Sequence, residues 1–508
     1  MIVQTADGPV SGTATANGAA FKGVPYAAPP VGPARFRPPQ PTVPWELPRA
    51  AVAYGPAAAQ PPDHLLTAMF GTEPFPSDED CLTLNIWTPG VSASGEGARP
   101  VMVWLHGGGF IFGSGRDPFF DGERLASRGD VVVVTVNYRL GAFGFLHLGG
   151  LLGDDYAGSG NLGLLDQVAA LTWVRANIAA FGGDPGNVTV FGQSAGAMSV
   201  AALMAMPAAA GLFHKAVVQS GSGSYVRTAE DADGIARRIV AALGSDDPRV
   251  LLEASTAELI RAQEAVTAQL SAEDPAALLP FAPVVDGTVL GESPLASFRA
   301  GKAARIPLIV GANRDEMRIG SLFGAAADAE PADVEEAAET EATLDAAFAA
   351  AYQDPGSALG AFRSAEPEAT GKELLATLVG ESMFRRPAYE LAQAHAVHTP
   401  EVWLYLFTWP STAHGGRLGA CHSLDLPFVF DNLQLPGAAR FTGPEPPQAL
   451  ADAMRAAWTG FARTGNPGLA GWPAFSAAER QTMIFAAESY PAPHPLTALH
   501  ELPLPSTD

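Results

Sequence analysis

The stretch VTVFGQSAGAMSV, residues 188–200, decides how this chain is interpreted, because it sets one serine between two different patterns. The β-branched, apolar VTVF predicts a buried strand, and AGAMSVAALMAM predicts a helix. Between them, Gly192-Gln193-Ser194-Ala195-Gly196 fits the pattern G-x-S-x-G. Glycine is frequent, at 54 of 508 residues, so the pattern alone is weak and its strand–turn–helix context matters more.

That context favours Ser194 as a nucleophile. A serine in a tight strand-to-helix turn projects its hydroxyl away from the backbone. Side chains at Gly192 and Gly196 are expected to clash with the neighbouring strand or helix. The N-terminus of the following helix favours developing negative charge. The alternative is an ordinary turn in which the serine only caps the helix.

A nucleophilic serine also needs an oxyanion hole, a general base and a carboxylate that orients the base. WLHGGGFIFGSG, residues 104–115, supplies three consecutive glycines after an apolar run. Glycines let backbone N–H groups converge on one point without obstruction by Cβ atoms. The N–H of Ala195 should join them. A flexible glycine-rich loop is the alternative interpretation.

The acid and the histidine are expected later in the chain, in that order. Asp315 and Glu316 follow the apolar run IPLIVGAN, and His414 and His422 follow VWLYLFTW. Spacing alone chooses neither between the two acids nor between the two histidines. A single loop histidine is more often a solvated surface residue than a base.

The remaining pattern predicts an α/β fold with a large, mostly parallel sheet. Runs such as LTLNIWT, PVMVWLHG and VVVVTVNYRLG are apolar without strict alternation, as in strands buried on both faces. LGLLDQVAALTWVRANIAAFG predicts a helix before VTVFG. Strands that alternate with helices imply a sheet covered by helices on both faces. Length suggests about three domains, but no linker separates them, so we expect one domain over residues 1–508.

Composition narrows the function classes. The chain is 47% hydrophobic and 16% charged, which predicts a large core. The formal net charge of -23 argues against nucleic acid and anionic membrane surfaces as partners. With two cysteines, no basic and apolar leader and no long apolar run, we expect a soluble, cytoplasmic protein. No pattern sets an oligomeric state. The acidic, alanine-rich residues 325–352 predict a solvated helical face within an insertion.

Longer stretches carry a resemblance to a known family. They are FKGVPYAAPPVGPARFRPP, SDEDCLTLNIWTP, VWLHGGGF, VNYRLGAFGFL, GNLGLLDQVAALTWVRANIAAFGGDPGNVTVFGQSAG, GANRDEM, CHSLDLPFVF and WTGFARTGNP. Nearly end to end, the chain resembles type-B carboxylesterases of the α/β-hydrolase fold, a family that includes cholinesterases and bacterial para-nitrobenzyl esterases. The resemblance implies one catalytic domain with cap insertions around residues 225–300 and 320–395.

The resemblance also chooses between the two acids and between the two histidines. It implies a catalytic triad of Ser194, Glu316 and His422, and leaves Asp315 as a structural hydrogen-bonding residue and His414 exposed. It implies oxyanion donors at the N–H groups of Gly108, Gly109 and Ala195, and a buried Ser220 that hydrogen-bonds the acid. Arg139 and Asp166 resemble a structural ion pair. The expected activity is carboxylic ester hydrolysis on small-molecule substrates, with no cofactor and no metal.

Several positions depart from the cholinesterase pattern. Gln193 stands where that branch has glutamate, which removes a negative charge beside the site. Residues 58–80 contain Phe70 and Phe75 but no tryptophan that could hold a quaternary ammonium group. Ala277 and Leu279 replace bulky aromatics of the acyl pocket, which predicts a pocket larger than acetyl requires. The upstream partner of Cys81 in extracellular members is absent, in keeping with an intracellular enzyme.

Other motifs receive ordinary interpretations. GSGNLG, residues 158–163, matches G-x-G-x-x-G but follows a polar loop, so we do not expect a nucleotide there. His395 and His398 form an H-x-x-H pair without a third metal ligand. Cys421 is expected to be a packing residue. Two alternative functions remain open, namely carbamate, amide or lactone hydrolysis by the same residues, and a non-catalytic binding protein on the same fold.

Overall fold

A computed structural model describes residues 1–61, 74–91, 98–273, 279–322 and 334–504. Its strands, in chain order, are β1 (Ile2–Gln4), β2 (Pro9–Ser11), β3 (Thr13–Thr15), β4 (Gly18–Pro25), β5 (Arg49–Ala50), β6 (Ala57–Ala58), β7 (Ser77–Asp78), β8 (Thr83–Thr88), β9 (Arg99–Leu105), β10 (Val132–Val136), β11 (Gly183–Gln193), β12 (Lys215–Gln219), β13 (Arg227–Thr228), β14 (Val284–Val285), β15 (Leu308–Asn313), β16 (Val402–Phe407), β17 (Gln481–Phe485) and β18 (Tyr490–Pro493).

The α-helices, in chain order, are α1 (Glu123–Gly129), α2 (Gly141–Phe145), α3 (Gly149–Leu152), α4 (Leu162–Asn177), α5 (Ala195–Ala205), α6 (Ala229–Ala242), α7 (Val250–Glu253), α8 (Thr256–Glu273), α9 (Pro294–Arg299), α10 (Val334–Ala351), α11 (Pro355–Ala365), α12 (Gly371–Gly380), α13 (Arg386–Ala396), α14 (Leu426–Val429), α15 (Ala438–Thr442), α16 (Gln448–Thr464) and α17 (Thr497–His500).

The main sheet has 11 strands within the described residues, in the order β18-β17-β16-β15-β12-β11-β9-β10-β8-β4-β3. The central block from β17 to β10 is parallel throughout. The pairs at both edges, β18 with β17 and β8 with β10, are antiparallel, as are β4 with β8 and β3 with β4. This is the α/β-hydrolase architecture, and it confirms the predicted fold class.

Both faces of the central strands β9, β10, β12, β15 and β16 are buried, which explains why these strands lack polar alternation. On β9, Val103 belongs to one apolar cluster and Trp104 to the other, and both are fully buried. The first cluster is covered by helices such as α4 and α5, and the second by α1 and α16. Because successive strand residues point to opposite faces, each central strand is anchored in two layers of helices.

The second predicted insertion forms a small apolar cluster of its own. Leu344 and Phe348 of α10 are fully buried and pack with residues of α11, α12 and α17. The rest of residues 341–350 is mostly exposed, so the predicted solvated helical face is present in this part of the helix, opposite a buried face that the sequence did not predict. The acidic, alanine-rich composition concealed two large apolar side chains spaced four residues apart, which is the spacing of one helix face.

Across the described residues, no helix is long and apolar enough to cross a membrane.

Candidate active site

Ser194 occupies the sharp turn between β11 and α5. Its backbone has φ 57° and ψ -127°, a left-handed conformation that non-glycine residues rarely adopt. The N–H of Ser194 donates to the carbonyl of Gln219, 2.9 Å away on β12. A Cβ at Gly196 would overlap the carbonyl oxygen of Leu105, and one at Gly192 would lie 2.5 Å from the carbonyl carbon of Gly196. The expected clashes at the two flanking glycines are confirmed.

His422 and Glu316 meet at the same edge of the sheet as Ser194. Glu316 follows β15, and His422 lies in the loop after β16, so the carboxyl ends of neighbouring parallel strands bring them together. The Nδ1 atom of His422 lies 2.6 Å from Oε2 of Glu316. The carboxylate is fully buried, and its Oε1 accepts the N–H of Asn313 at 2.7 Å. This arrangement fixes the plane and the proton of the imidazole.

The other acid and histidine that the spacing allowed have different surroundings. Asp315 accepts the N–H of Ala420 at 2.7 Å and pairs with Arg314 at 2.8 Å. Burial opposes ionisation of this carboxyl, but the hydrogen bond and charge of Arg314 outweigh it and lower the pKa of Asp315. His414 is exposed, with its Nε2 3.0 Å from the carbonyl of Arg440. Asp315 therefore fastens the turn that precedes His422, and His414 lies on the surface.

The second ring nitrogen of His422 has a neighbour that the sequence did not predict. Its Nε2 lies 2.8 Å from the side-chain amide nitrogen of Gln193. Among the described residues, no hydrogen bond joins this nitrogen to the hydroxyl of Ser194. The ring of Phe384 also packs on the imidazole, with centroids 4.5 Å apart. The imidazole is thus held by a carboxylate, by an aromatic ring and by an amide.

Ser194, Gln193 and His422 open onto one cavity. Counted with its open mouth, it holds about 710 Å³, within the range of small-molecule sites. Its polar rim includes the glycines of residues 107–109. Its apolar wall is formed by Phe112, Phe119, Phe120, Ile319 and Leu426. The cavity combines a few converging polar groups with a mostly apolar wall, as small-molecule sites do.

The glycine loop presents free backbone donors to this cavity. Gly108 has φ 112°, and a Cβ there would overlap the carbonyl oxygen of Phe112, so only glycine fits. Among the described residues, the N–H groups of Gly108 and Gly109 make no hydrogen bond. The side chain of Gln60 holds the far end of the loop, because it both accepts the N–H of Gly113 at 2.8 Å and donates to its carbonyl at 3.0 Å.

One predicted support contact is wrong. Ser220 is fully buried, but within the described part of the chain its hydroxyl makes no hydrogen bond to Glu316 or to any other residue. The two carboxylate oxygens of Glu316 are instead taken by Asn313 and His422. Asn313 also donates from its side chain to the carbonyl of Cys421 at 2.7 Å, which ties the acid strand to the histidine loop. The only sequence signal for this role of Asn313 is its position immediately before the motif RDE.

The predicted ion pair of Arg139 and Asp166 is present. Arg139 binds Asp166 with two parallel hydrogen bonds of 2.8 and 2.7 Å, and both side chains are almost fully buried. The guanidinium also donates to the carbonyl of Arg37 at 2.8 Å, so this pair connects the loop after β10, helix α4 and the N-terminal segment. Its role is structural support.

The other motifs lie in ordinary structural surroundings. Residues Ser159–Asn161 of GSGNLG form a 3-10 turn before α4, and the elements directly before them are α3 and another 3-10 turn rather than a strand. His395 and His398 face two different backbone carbonyls. Cys421 is fully buried, and burial raises the pKa of its thiol far above the ordinary value, which makes it a packing residue. Ala277 and Phe70 lie outside the described residues.

A family model described as the carboxylesterase family matches residues 1–496. The chain belongs to the carboxylesterase family. Its relatives in that family include the para-nitrobenzyl esterase of Bacillus subtilis, 41% identical over 96% of this chain and 95% of the relative. Phenmedipham hydrolase of Pseudarthrobacter oxydans is 36% identical over 92% and 91% of the two chains. A crystal structure of a Geobacillus stearothermophilus carboxylesterase superposes with a TM-score of 0.84 at 38% identity, over 98% of each chain.

As a carboxylesterase, this chain is a serine hydrolase of carboxylic esters that acts on small molecules. The comparison confirms the resemblance drawn from the sequence motifs. In this carboxylesterase, the neutral Gln193 lies against the histidine, a contact that the sequence did not predict.

Proposed function

We propose that Ser194, His422 and Glu316 form the catalytic triad of this carboxylesterase. The observation that carries the proposal is the 2.6 Å contact of His422 Nδ1 with a fully buried carboxylate, beside a strained serine in the same cavity. An ionised carboxylate can only accept, so Nδ1 carries the ring proton and Nε2 keeps its lone pair. That tautomer is the one that can remove a proton from a serine hydroxyl.

In the proposed reaction, His422 takes the proton of Ser194 as its Oγ attacks the ester carbonyl carbon. The resulting imidazolium is stabilised by Glu316 and returns its proton to the leaving alcohol. Water then attacks the acyl-enzyme with the same base, and the carboxylic acid leaves.

The negative charge on the carbonyl oxygen needs donors that are already in place. We propose the N–H groups of Gly108, Gly109 and Ala195 as these donors. The first two make no hydrogen bond among the described residues, and the third lies at the first position of α5, where helix N–H groups are free. The helix N-terminus adds favourable electrostatics.

Replacement of the nucleophile tests the proposal. Ser194→Ala should lower kcat for a para-nitrophenyl ester by about 10⁶-fold. Ser199→Ala is the matched control, because Ser199 lies on the same helix, is fully buried and binds the Gln167 amide instead of lining the cavity. The control should stay within about threefold of the parent. Activity of Ser194→Ala near that of the control would refute the assignment.

We further propose a broad range of ester substrates with apolar alcohol and acyl groups. The cavity wall is formed mainly by aromatic and aliphatic side chains. Leu279 lies next to the glycine loop, 3.4 Å from where a Cβ of Gly109 would stand, and offers less bulk than an aromatic residue. Butanoyl and benzoyl esters should therefore be cleaved at least as fast as acetyl esters of the same alcohol. A strong preference for acetyl esters would contradict this proposal.

A second candidate activity, on carbamates, amides or lactones, uses the same residues, because the same nucleophile attacks any activated acyl carbon. A panel of matched aryl esters and aryl carbamates separates the two. A non-catalytic binding role would require failure of Ser194 to react with acylating agents.

We also propose that residues 1–508 act as one catalytic unit whose cap segments, around 225–300 and 320–395, shape the cavity. Leu279 from the first segment and Ile319, just before the second, both border the site. A cytoplasmic location is proposed because Cys81 and Cys421 are both buried, unpaired thiols. Fractionation of the producing cells tests the location.

A further inference from the structure

Gln193 makes a contact that the proposed reaction must break. Its side chain is 3% exposed, and its amide nitrogen lies 2.8 Å from Nε2 of His422. Gly107 leaves room for this amide, because a Cβ there would lie 2.8 Å from Oε1 of Gln193. The amide is therefore packed between the glycine loop and the base.

The hydrogen-bonding roles in this contact follow from the acid. Glu316 accepts the proton on Nδ1, so Nε2 has one lone pair and no proton. The amide nitrogen of Gln193 must then be the donor and Nε2 the acceptor. One lone pair accepts one well-aligned hydrogen bond, so the amide occupies the position that the hydroxyl of Ser194 needs when it gives up its proton.

We propose that Gln193 is a positioning residue that caps the base nitrogen of His422 in the free enzyme and withdraws when substrate fills the cavity. The inference rests on the proposed function, because it assumes that Nε2 is the base. In the free enzyme, a proton that binds Nε2 must displace the amide N–H. In the substrate complex it does not, because the amide has already turned away from the ring.

This difference predicts a pH signature that separates the two states. The pH dependence of kcat/KM reports groups of the free enzyme, and that of kcat reports groups of the substrate complex. Loss of the amide donor should make the free base easier to protonate, and so shift the acid limb of kcat/KM to higher pH. The acid limb of kcat should stay where it is in the parent.

The surroundings of His422 allow such a comparison. Two titratable groups act on the imidazole directly: the carboxyl of Glu316 binds Nδ1, and the charge of Asp425 interacts with the ring. The thiol of Cys421 and the carboxyl of Asp315 are their neighbours and interact with these carboxyls or with each other. All four groups are unchanged in the variants below, so a relative shift reports position 193 alone.

The test measures both profiles for the parent, Gln193→Met and Gln193→Glu. Methionine keeps the length of the side chain without a donor, and a hydrogen bond worth about 1 kcal/mol corresponds to about a fivefold change in protonation, or about 0.7 pH unit. In Gln193→Met, the acid limb of the kcat/KM profile should move to higher pH by about that amount, while the acid limb of the kcat profile stays at the parental pH. It should move further in Gln193→Glu, because a carboxylate accepts a proton from Nε2–H.

The inference would be overturned if the acid limb of kcat/KM lay at the same pH in the parent and in Gln193→Met. It would also be overturned if the acid limbs of kcat/KM and of kcat shifted by the same amount. If the methionine variant does not fold, the near-isosteric glutamate variant decides, and an unshifted kcat/KM limb overturns the inference. Failure of the proposed function has a different signature, since Ser194→Ala would then keep its activity. Unshifted limbs in an enzyme that depends on Ser194 overturn only the role of Gln193.

Discussion

Glu316→Gln is the substitution that best tests which of the two acids after β15, Asp315 or Glu316, orients the imidazole of His422. Glutamine keeps the shape of the side chain and can still accept the N–H of Asn313, now 2.7 Å from Oε1. It replaces a charged partner of His422 Nδ1 with a neutral one. The imidazolium that forms during the reaction then lacks its counterion, and the ring can adopt the wrong tautomer.

The size of the effect follows from the geometry. Two unit charges about 4 Å apart interact by about 4 kcal/mol at an effective dielectric constant of about 20. The loss of that interaction alone lowers the rate by about 10³-fold, at about 1.4 kcal/mol for each factor of ten. The loss of the correct tautomer adds to this, so we expect kcat to fall by about 10³- to 10⁴-fold.

Steady-state hydrolysis of a para-nitrophenyl ester measures this loss, with Asp315→Asn as the control. Asp315 binds Ala420 and Arg314 rather than the imidazole, so its amide variant should keep kcat within about tenfold of the parent. The expected defect of Asp315→Asn is lower stability, since a buried charge partner of arginine is removed. A larger loss of kcat in Asp315→Asn than in Glu316→Gln would refute the assignment of the acid.

Three further predictions concern stability. Burial lowers the pKa of His106 to about 4. Between about pH 6.5 and pH 4, the unfolded chain therefore binds a proton on this residue, whereas the folded chain does not. From pH 7 to 5 the parent should therefore lose about 2 kcal/mol more unfolding free energy than His106→Phe, as measured in urea, and equal losses would contradict this. Gly196→Ala should fail to yield folded, active enzyme because its Cβ overlaps Leu105, whereas Gly234→Ala, in an open position on α6, should match or exceed parental stability in thermal melts. Arg139→Met leaves Asp166 buried without its partner and should cost about 3–5 kcal/mol in urea unfolding, so a loss below about 1 kcal/mol would contradict a structural role.

Much of the fold could be predicted because the responsible patterns are local. The run VTVFGQSAG specifies a strand, a glycine-flanked turn and a helix, and β11 and α5 meet at Ser194 as expected. Apolar runs without alternation indicated strands buried on both faces, and β9 and β10 are buried in that way. Spacing alone did not decide which of two acids and which of two histidines belong to the site, and only the resemblance to the family motifs selected Glu316 and His422.

Contacts between distant segments could not be predicted in the same way. Nothing in GQSAG indicates that the glutamine amide reaches a histidine 229 positions later. The family resemblance implied a hydrogen bond from Ser220 to the acid, yet among the described residues the Ser220 hydroxyl makes none, and the N–H of Asn313 binds Oε1 of Glu316 instead. The buried side chains of α10 were hidden by an acidic, alanine-rich composition, because the average over a segment conceals which face of a helix its few large apolar residues share.

The most direct test of the central claim is covalent labelling with a fluorophosphonate, read out by mass spectrometry of the intact chain and its peptides. We expect one adduct for each chain, on Ser194, with activity lost in proportion to labelling. Ser194→Ala should take up no label. Equal labelling of Ser194→Ala, or full inactivation with the adduct on another residue, would contradict the claim that this serine attacks the ester.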